Sequence, residues 1–319
     1  MCNHRPLKSK PVISVVMACY REPVAWLEQA IESILNQSFT DLELVLVVDD
    51  PNRAEIIECV QRYASEDPRV LVVKNDRNIG LPRSLNAGVN ASAGAYLARM
   101  DADDISPRDR LKVQWTHLKS HPEIDLLGTA IENIDVRGRG LGVKQFPDDW
   151  ELIRKVIPYC SVACHPTWLM AREVYDDVGG YRDLRGAEDY DFLYRAMDIG
   201  KIIGNLNQPL LQYRIHGDSI TSVLSLTRYR TRQYIHHMHR ERLEGRPGEF
   251  REDELVEYLN RAIESPRIAQ LLTKMRKAET LGEWRRFLYL FALCWLSGDV
   301  RRRAVEMLKL NWTLLLHRA

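Results

Sequence analysis

The chain has 319 residues, 45% of them apolar and 28% charged, which supplies a substantial core and excludes a disordered polymer. Lysine and arginine number 45 against 44 acids, so there is no global field to hold nucleic acid or an anionic membrane, and any such affinity must be local. Six scattered cysteines, Cys2, Cys19, Cys59, Cys160, Cys164 and Cys294, have neither zinc-ribbon spacing nor disulfide-scaffold density and read as reduced cytoplasmic thiols.

The basic, polar stretch from Met1 to Pro11 carries no apolar run of the kind a secretory signal needs. Residues 12–18, 42–48 and 70–74 are short, valine-rich and almost wholly apolar, the pattern of strands buried on both faces. Between them Trp26, Leu27, Ala30, Ile31, Ile34 and Leu35, and then Ile56, Ile57, Val60 and Tyr63, recur at helical spacing. A third helix over 81–90 leads to a fourth strand over 95–100. The alternation predicts a parallel sheet covered by crossover helices.

Further on, the pattern predicts a helix over 107–120, a strand over 124–134, a turn over 137–140, a strand over 168–171, a helix over 188–199 and a last strand over 210–215. From about residue 226 the signal is helical only. The expected organisation is a catalytic domain over 1–225 and a C-terminal helical region over 226–319.

In open sheets of this kind ligands sit beyond the carboxyl ends of the strands, and those ends are acidic here. Asp49 and Asp50 close the second predicted strand; Asp101, Ala102, Asp103 and Asp104 close the fourth. If extended backbone continues there, Asp101 and Asp103 project to one side and face one cation, and hard divalent ions favour such oxygen ligands. The competing reading of these acids is a solvated turn and helix caps, with Asp50 or Asn52 capping the second helix. Glu188 and Asp189 open another predicted helix; they read either as first-turn acids or as a base for a hydroxyl nucleophile.

The order of the motifs narrows these alternatives. Ile13-Ser14-Val15-Val16-Met17-Ala18-Cys19-Tyr20 is followed by the helix-to-loop stretch Ala30-Ile31-Glu32-Ser33-Ile34-Leu35-Asn36-Gln37-Ser38-Phe39. Then come Asn78-Ile79-Gly80-Leu81, Ser84-Leu85-Asn86-Ala87-Gly88 and Ala98-Arg99-Met100-Asp101-Ala102-Asp103-Asp104. His165-Pro166-Thr167, Gly179-Gly180-Tyr181, Glu188-Asp189-Tyr190-Asp191 and Tyr213-Arg214-Ile215-His216 complete the set. In this order the chain resembles family 2 glycosyltransferases from its first strand to about residue 222. One departure is Pro51-Asn52, where the family commonly has glycine and serine.

The resemblance implies a GT-A fold, an α/β Rossmann-like and mostly parallel sheet flanked by helices, and an inverting transferase using a nucleotide-diphosphate sugar, with uridine as the expected base. It places Ala18, Tyr20 and Glu22 at the donor nucleotide, Asp49 or Asp50 at the base or ribose, and Asp101 and Asp103 at a DxD site for Mn²⁺ or Mg²⁺. His216 falls where a late histidine approaches the metal or diphosphate, and Asp189, with Glu188 positioning or sharing the role, where the base stands. Arg83 and Arg99 are candidates for pairing with the diphosphate or bracing the aspartates, with a surface or intrasheet salt bridge as the equal alternative. His165 reads as a pocket-wall residue or a satisfied buried histidine.

The expected partners are the donor and a glycan or lipid-linked glycan acceptor of a bacterial surface polysaccharide, at the cytoplasmic face of the membrane, with no nucleic acid. The run over 287–296 is too short for a span that needs roughly 20 residues. Flanked by Arg285, Arg286, Arg301, Arg302 and Arg303 and turned by Gly298 and Asp299, it suits a packed helical hairpin, a homodimer contact or a peripheral membrane contact. The rival functions are an idle scaffold of a polysaccharide assembly complex and a sugar-phosphate nucleotidyltransferase. The second would need a glycine- and arginine-rich loop where Cys19 to Pro23 stand.

Overall fold

The computed structural model describes residues 10–158, 160–184, 186–216 and 225–260. The C-terminal features expected over 285–303, together with Cys2, lie outside the described residues. The chain divides into two compact units, Met1–Ile153 with Ser161–Ser219, and Arg154–Cys160 with Ile220–Ala319.

The first unit is built on strands β1 (Ile13–Cys19), β2 (Leu42–Val48), β3 (Val70–Lys74) and β4 (Tyr96–Asp101). These are parallel neighbours in the order β3-β2-β1-β4. Every residue of β2 is buried and β1 is buried at all but Ala18, as a strand packed on both faces requires. Helices α1 (Val24–Leu35), α2 (Ala54–Glu66) and α3 (Leu81–Ala91) make the crossovers. Gly88 lets α3 settle on the sheet, since a Cβ there would stand 2.6 Å from Val16 Cγ1 and 2.8 Å from Val47 Cγ2.

Beyond β4 the direction changes. Helix α4 (Arg110–Ser120) leads to β5 (Leu126–Ile134), β6 (Gly140–Lys144) and α5 (Trp150–Val156). A 3₁₀ turn (His165–Thr167), β7 (Leu169–Ala171), α6 (Arg172–Val178), α7 (Glu188–Asp198) and β8 (Ile203–Arg214) follow. Strand β7 runs antiparallel to both β4 and β5, whereas β8 runs parallel to β5. In the second unit α8 (Ser225–Leu243) is followed by α9 (Glu252–Asn260), and Tyr234 Oη donates to the Arg251 carbonyl at 3.0 Å. No helix among the described residues is long and apolar enough to cross a membrane.

Several expectations shift. The helix expected from 107 starts at Arg110, because the Pro107 carbonyl receives both the Arg110 N–H and the Gln37 side-chain amide. The last strand begins at Ile203 rather than 210; its polar middle and Pro209 carry no strand pattern, and its register against β5 shifts there. Strand β6 is exposed at all five positions and glycine-rich, so burial left no mark on its sequence. Helix α2 is capped by neither Asp50 nor Asn52: Arg53 holds that position without a side-chain cap.

Candidate active site

The carboxyl ends of β1, β2 and β4, the end of β8 and the start of α7 carry the candidate residues. Ala18 pairs in register with Asp101, the last residue of β4. The strand stops there, so Asp103 does not reach its neighbour by strand alternation; a turn brings it round. Arg214, at the end of β8, holds that turn: its Nε donates to the Asp103 carbonyl at 2.8 Å and its backbone N–H to Asp104 Oδ1 at 2.8 Å.

The turn places Asp101, Asp103 and Asp104 with ligand oxygens within 4.8 Å of one another. His216 Nε2 lies 2.8 Å from Asp103 Oδ2, and its ring packs against Trp26 at 5.2 Å. Glu22, from the β1 loop, accepts the Tyr20 N–H at 2.7 Å and feels the charges of Asp103 and Asp101. Burial, reinforced by those charges, lifts Glu22 to about 7. Asp101 is raised by burial, with Asp103 and Asp189 adding to the effect and Arg99 opposing it. Such crowding of like charge is costly without a cation.

Asp104 was outside the sequence-based metal set. It is buried, and its Oδ2 has no hydrogen-bond partner. Its signal was present in the Asp101-Ala102-Asp103-Asp104 run, but an alternation argument removes it; only the turn restores it. The donor set therefore fits a hard divalent ion: three carboxylates converge, one has a buried orphan oxygen, and an imidazole stands alongside.

Arg99 is buried on β4 and its Nη2 pairs with Asp101, while Nε and Nη1 lack partners. Burial works against its charge, but the Asp101 carboxylate outweighs this and holds the proton on. It braces Asp101, one of the two roles open to it in the sequence. Arg83 forms an ion pair with Asp183 at 3.0 Å, the salt-bridge alternative to a place at the diphosphate or the aspartates.

The two acids after β2 separate cleanly. Asp49 is buried and accepts from Asn75 Nδ2 at 2.8 Å, the Ile79 N–H at 2.9 Å and the Gly80 N–H at 2.9 Å. Both oxygens are committed to closing the loop into α3, where Gly80 has φ 87°. Asp50 accepts the Asn52 N–H at 3.1 Å and lies 3.9 Å from Arg21, whose guanidinium covers the Tyr20 ring at 4.7 Å.

At the start of α7, Glu188 is buried and accepts the Gly186 N–H at 2.7 Å, and burial with the adjacent Asp189 charge lifts it to about 7. Asp189 is partly exposed, accepts the Tyr190 N–H at 2.8 Å, and acts electrostatically on Asp101. The charge at the helix start thus reaches Asp101. Behind it, Asp191 and Arg195 pair at 2.8 Å and Arg195 Nη2 donates to the Gly180 carbonyl at 2.7 Å. Asn86 receives the Tyr181 N–H at 2.9 Å and donates to the Tyr181 carbonyl at 2.8 Å. The Gly179-Gly180 turn, with φ 79° and 71°, is thereby fixed.

His165 is a satisfied buried histidine: its Nε2 lies 2.8 Å from Tyr181 Oη, and burial, with Arg99 nearby, holds its pKa far down and the ring neutral. Gln37, a member of the helix-to-loop signature, is structural too. It donates to the carbonyls of Ser33 and Pro107 at 2.9 and 2.8 Å and accepts the Leu111 N–H at 3.1 Å, clamping the segment after the aspartates.

The model of "Glycosyl transferase family 2" matches residues 14–179. An O-antigen biosynthesis glycosyltransferase of Escherichia coli is 31% identical over 231 residues, covering 72% of this chain and 89% of its own. An uncharacterised glycosyltransferase of Methanocaldococcus jannaschii is 34% identical over 209 residues, 65% of this chain and 71% of the relative. Among solved structures, S. aureus TarS 1–349 in complex with UDP-GlcNAc superposes with a TM-score of 0.60 at 19% identity, covering 91% of this chain and 81% of that one. The same protein in complex with UDP gives 0.59 at 16% identity, over 94% and 88% of the two chains. The fold is thus the expected GT-A class.

Proposed function

Given that the chain belongs to glycosyl transferase family 2, and is therefore an enzyme that transfers a sugar, we propose that it inverts the anomeric centre of a UDP-linked sugar in a single displacement onto an acceptor hydroxyl. The observation that carries this is the convergence of the Asp101, Asp103 and Asp104 ligand oxygens within 4.8 Å, with Asp189 close enough for its charge to act on Asp101. Relatives named for O-antigen and amylovoran biosynthesis support a polysaccharide as the product.

Asp101, Asp103 and Asp104, with His216, would hold Mn²⁺ or Mg²⁺. When bound, such an ion neutralises charge on a departing diphosphate. Ala18, Tyr20 and Glu22 would contact the donor nucleotide, and Asp49 or Asp50 its base or ribose. Asp189 accepts the acceptor's proton as the oxygen bonds to the anomeric carbon. The bond from that carbon to the diphosphate breaks on the opposite face, and the nucleoside diphosphate leaves with the electron pair. Glu188 orients the acceptor.

Asp189→Asn keeps the shape and removes the base, so transfer should fall by about 10²–10⁴-fold while donor binding persists. Asp103→Ala should abolish metal-dependent nucleotide binding. Wild-type transfer by either folded variant, followed as UDP release with an acceptor panel, would refute the assignment. An idle scaffold would release no UDP under any donor.

A further inference from the structure

Among the described residues seven large apolar side chains are exposed, and three of them, Val136 at 49%, Leu141 at 58% and Val143 at 57%, lie on the hairpin joining β5 to β6. That concentration is unlike the scattered singles every surface carries. Leu141 and Val143 are two apart on one strand and share a face. The same nine-residue stretch, 136–144, contains Arg137, Arg139 and Lys144 and no acid. Asp135 at its root is tied to Arg139 at 2.6 Å, whereas Arg137 and Lys144 make no ion pair among the described residues.

The hairpin leaves the sheet beside the acidic turn. Arg214 Nη1 donates to the carbonyls of Asp135 and Val136 at 3.3 and 3.4 Å, while Nε of the same guanidinium holds Asp103. The Ile215 N–H donates to the Ile134 carbonyl at 2.8 Å. Whatever the hairpin touches is therefore held next to the aspartate turn.

We propose that the 136–144 hairpin seats the catalytic unit on an anionic bilayer, with Leu141 and Val143 entering the interface and Arg137, Arg139 and Lys144 on phospholipid headgroups. Basic side chains around a small apolar tip match that surface in both charge and depth. A second copy of the chain fits less well. Edge pairing through β6, which neighbours only β5 among the described strands, is disfavoured because Gly140 and Gly142 weaken an added strand. Resting on the transferase reading, the consequence is that the acceptor is presented from the lipid surface.

The test sediments the full chain with vesicles of phosphatidylcholine alone and of phosphatidylcholine mixed with phosphatidylglycerol. Binding is expected to the mixed vesicles and to weaken with salt. Leu141→Glu with Val143→Glu should lower the partition coefficient more than about tenfold, and Arg137→Gln about fivefold, with unchanged thermal transitions. No wild-type binding, or equal binding by the double variant, overturns the proposal. So does a concentration-dependent dimer that the double variant dissolves, which would assign the hairpin to a second copy. Mn²⁺-dependent UDP binding in the absence of vesicles should match wild type in all variants. Its absence in the wild type defeats the transferase reading and leaves the vesicle result standing.

Discussion

Glu188 shows how a single buried acid links stability to chemistry. Unfolded it titrates near 4.5 and folded at about 7, so the folded state takes up the proton first as pH falls. Its contribution is complete below about pH 4.5 and is lost as pH rises through 7. Glu188→Gln removes that loss, and should be more stable than wild type above pH 7 by at most on the order of 3 kcal/mol, with the gap closing below pH 4.5. Urea titrations at the two pH values, with chelator present, would show it; a gap that persists in acid would assign the gain to packing instead. Arg214 makes a second residue-scale case. Its fork spans Asp103, the hairpin root and Gln29 Oε1 at 2.9 Å, a pattern an ammonium cannot reproduce. Arg214→Lys should therefore weaken Mn²⁺ affinity by roughly tenfold, an effect of about 1.4 kcal/mol, read by titrating metal against nucleotide-dependent fluorescence.

At the scale of elements, the contacts that align the site are made by residues with no part in the chemistry. Gln37 joins the end of α1 to the start of α4, satisfying carbonyls and an N–H that water cannot reach. Gln37→Leu strands those groups and should cost about 2–4 kcal/mol, measured by denaturant midpoint. Helix α3 depends on the absence of a side chain. Gly88→Ala drives a methyl into Val16 and Val47 and should destabilise by about 1–3 kcal/mol, lowering the thermal midpoint without changing which nucleotide binds. If Gly88→Ala were neutral, the close approach of α3 to β1 and β2 would be wrong.

For the whole molecule, the net charge of +1 hides strong local fields: acids converge at one edge of the sheet and cations ring the neighbouring hairpin. A crowded carboxylate cluster destabilises the empty protein and is relieved by a cation with a diphosphate. UDP with Mn²⁺ at about 100 times its dissociation constant should add about 2.7 kcal/mol of stability, and UDP with chelator clearly less. A thermal-shift series reads this directly, and equal shifts with and without Mn²⁺ would count against the cation site.

The alternation of apolar strands and amphipathic helices through β4 is legible in the residues because burial on both faces of a sheet demands it at each position. The acids at the strand tips are legible for the same reason: a polar run can follow such a strand only where the chain leaves the core. The two-sided packing says nothing about exposed or very short segments, so β6, the seven-residue helices α5 and α6 and the polar middle of β8 left too weak a pattern to find. Which acids work together was likewise decided in three dimensions. Asp49 and Asp50 are adjacent in sequence, yet one accepts from the Ile79 and Gly80 N–H groups while the other lies 3.9 Å from Arg21. Asp104 joins Asp101 and Asp103 because Arg214, 110 residues away in sequence, bends the turn. Local pattern records whether a residue is inside or outside; the partners of a charge are set by chain segments that meet only after folding.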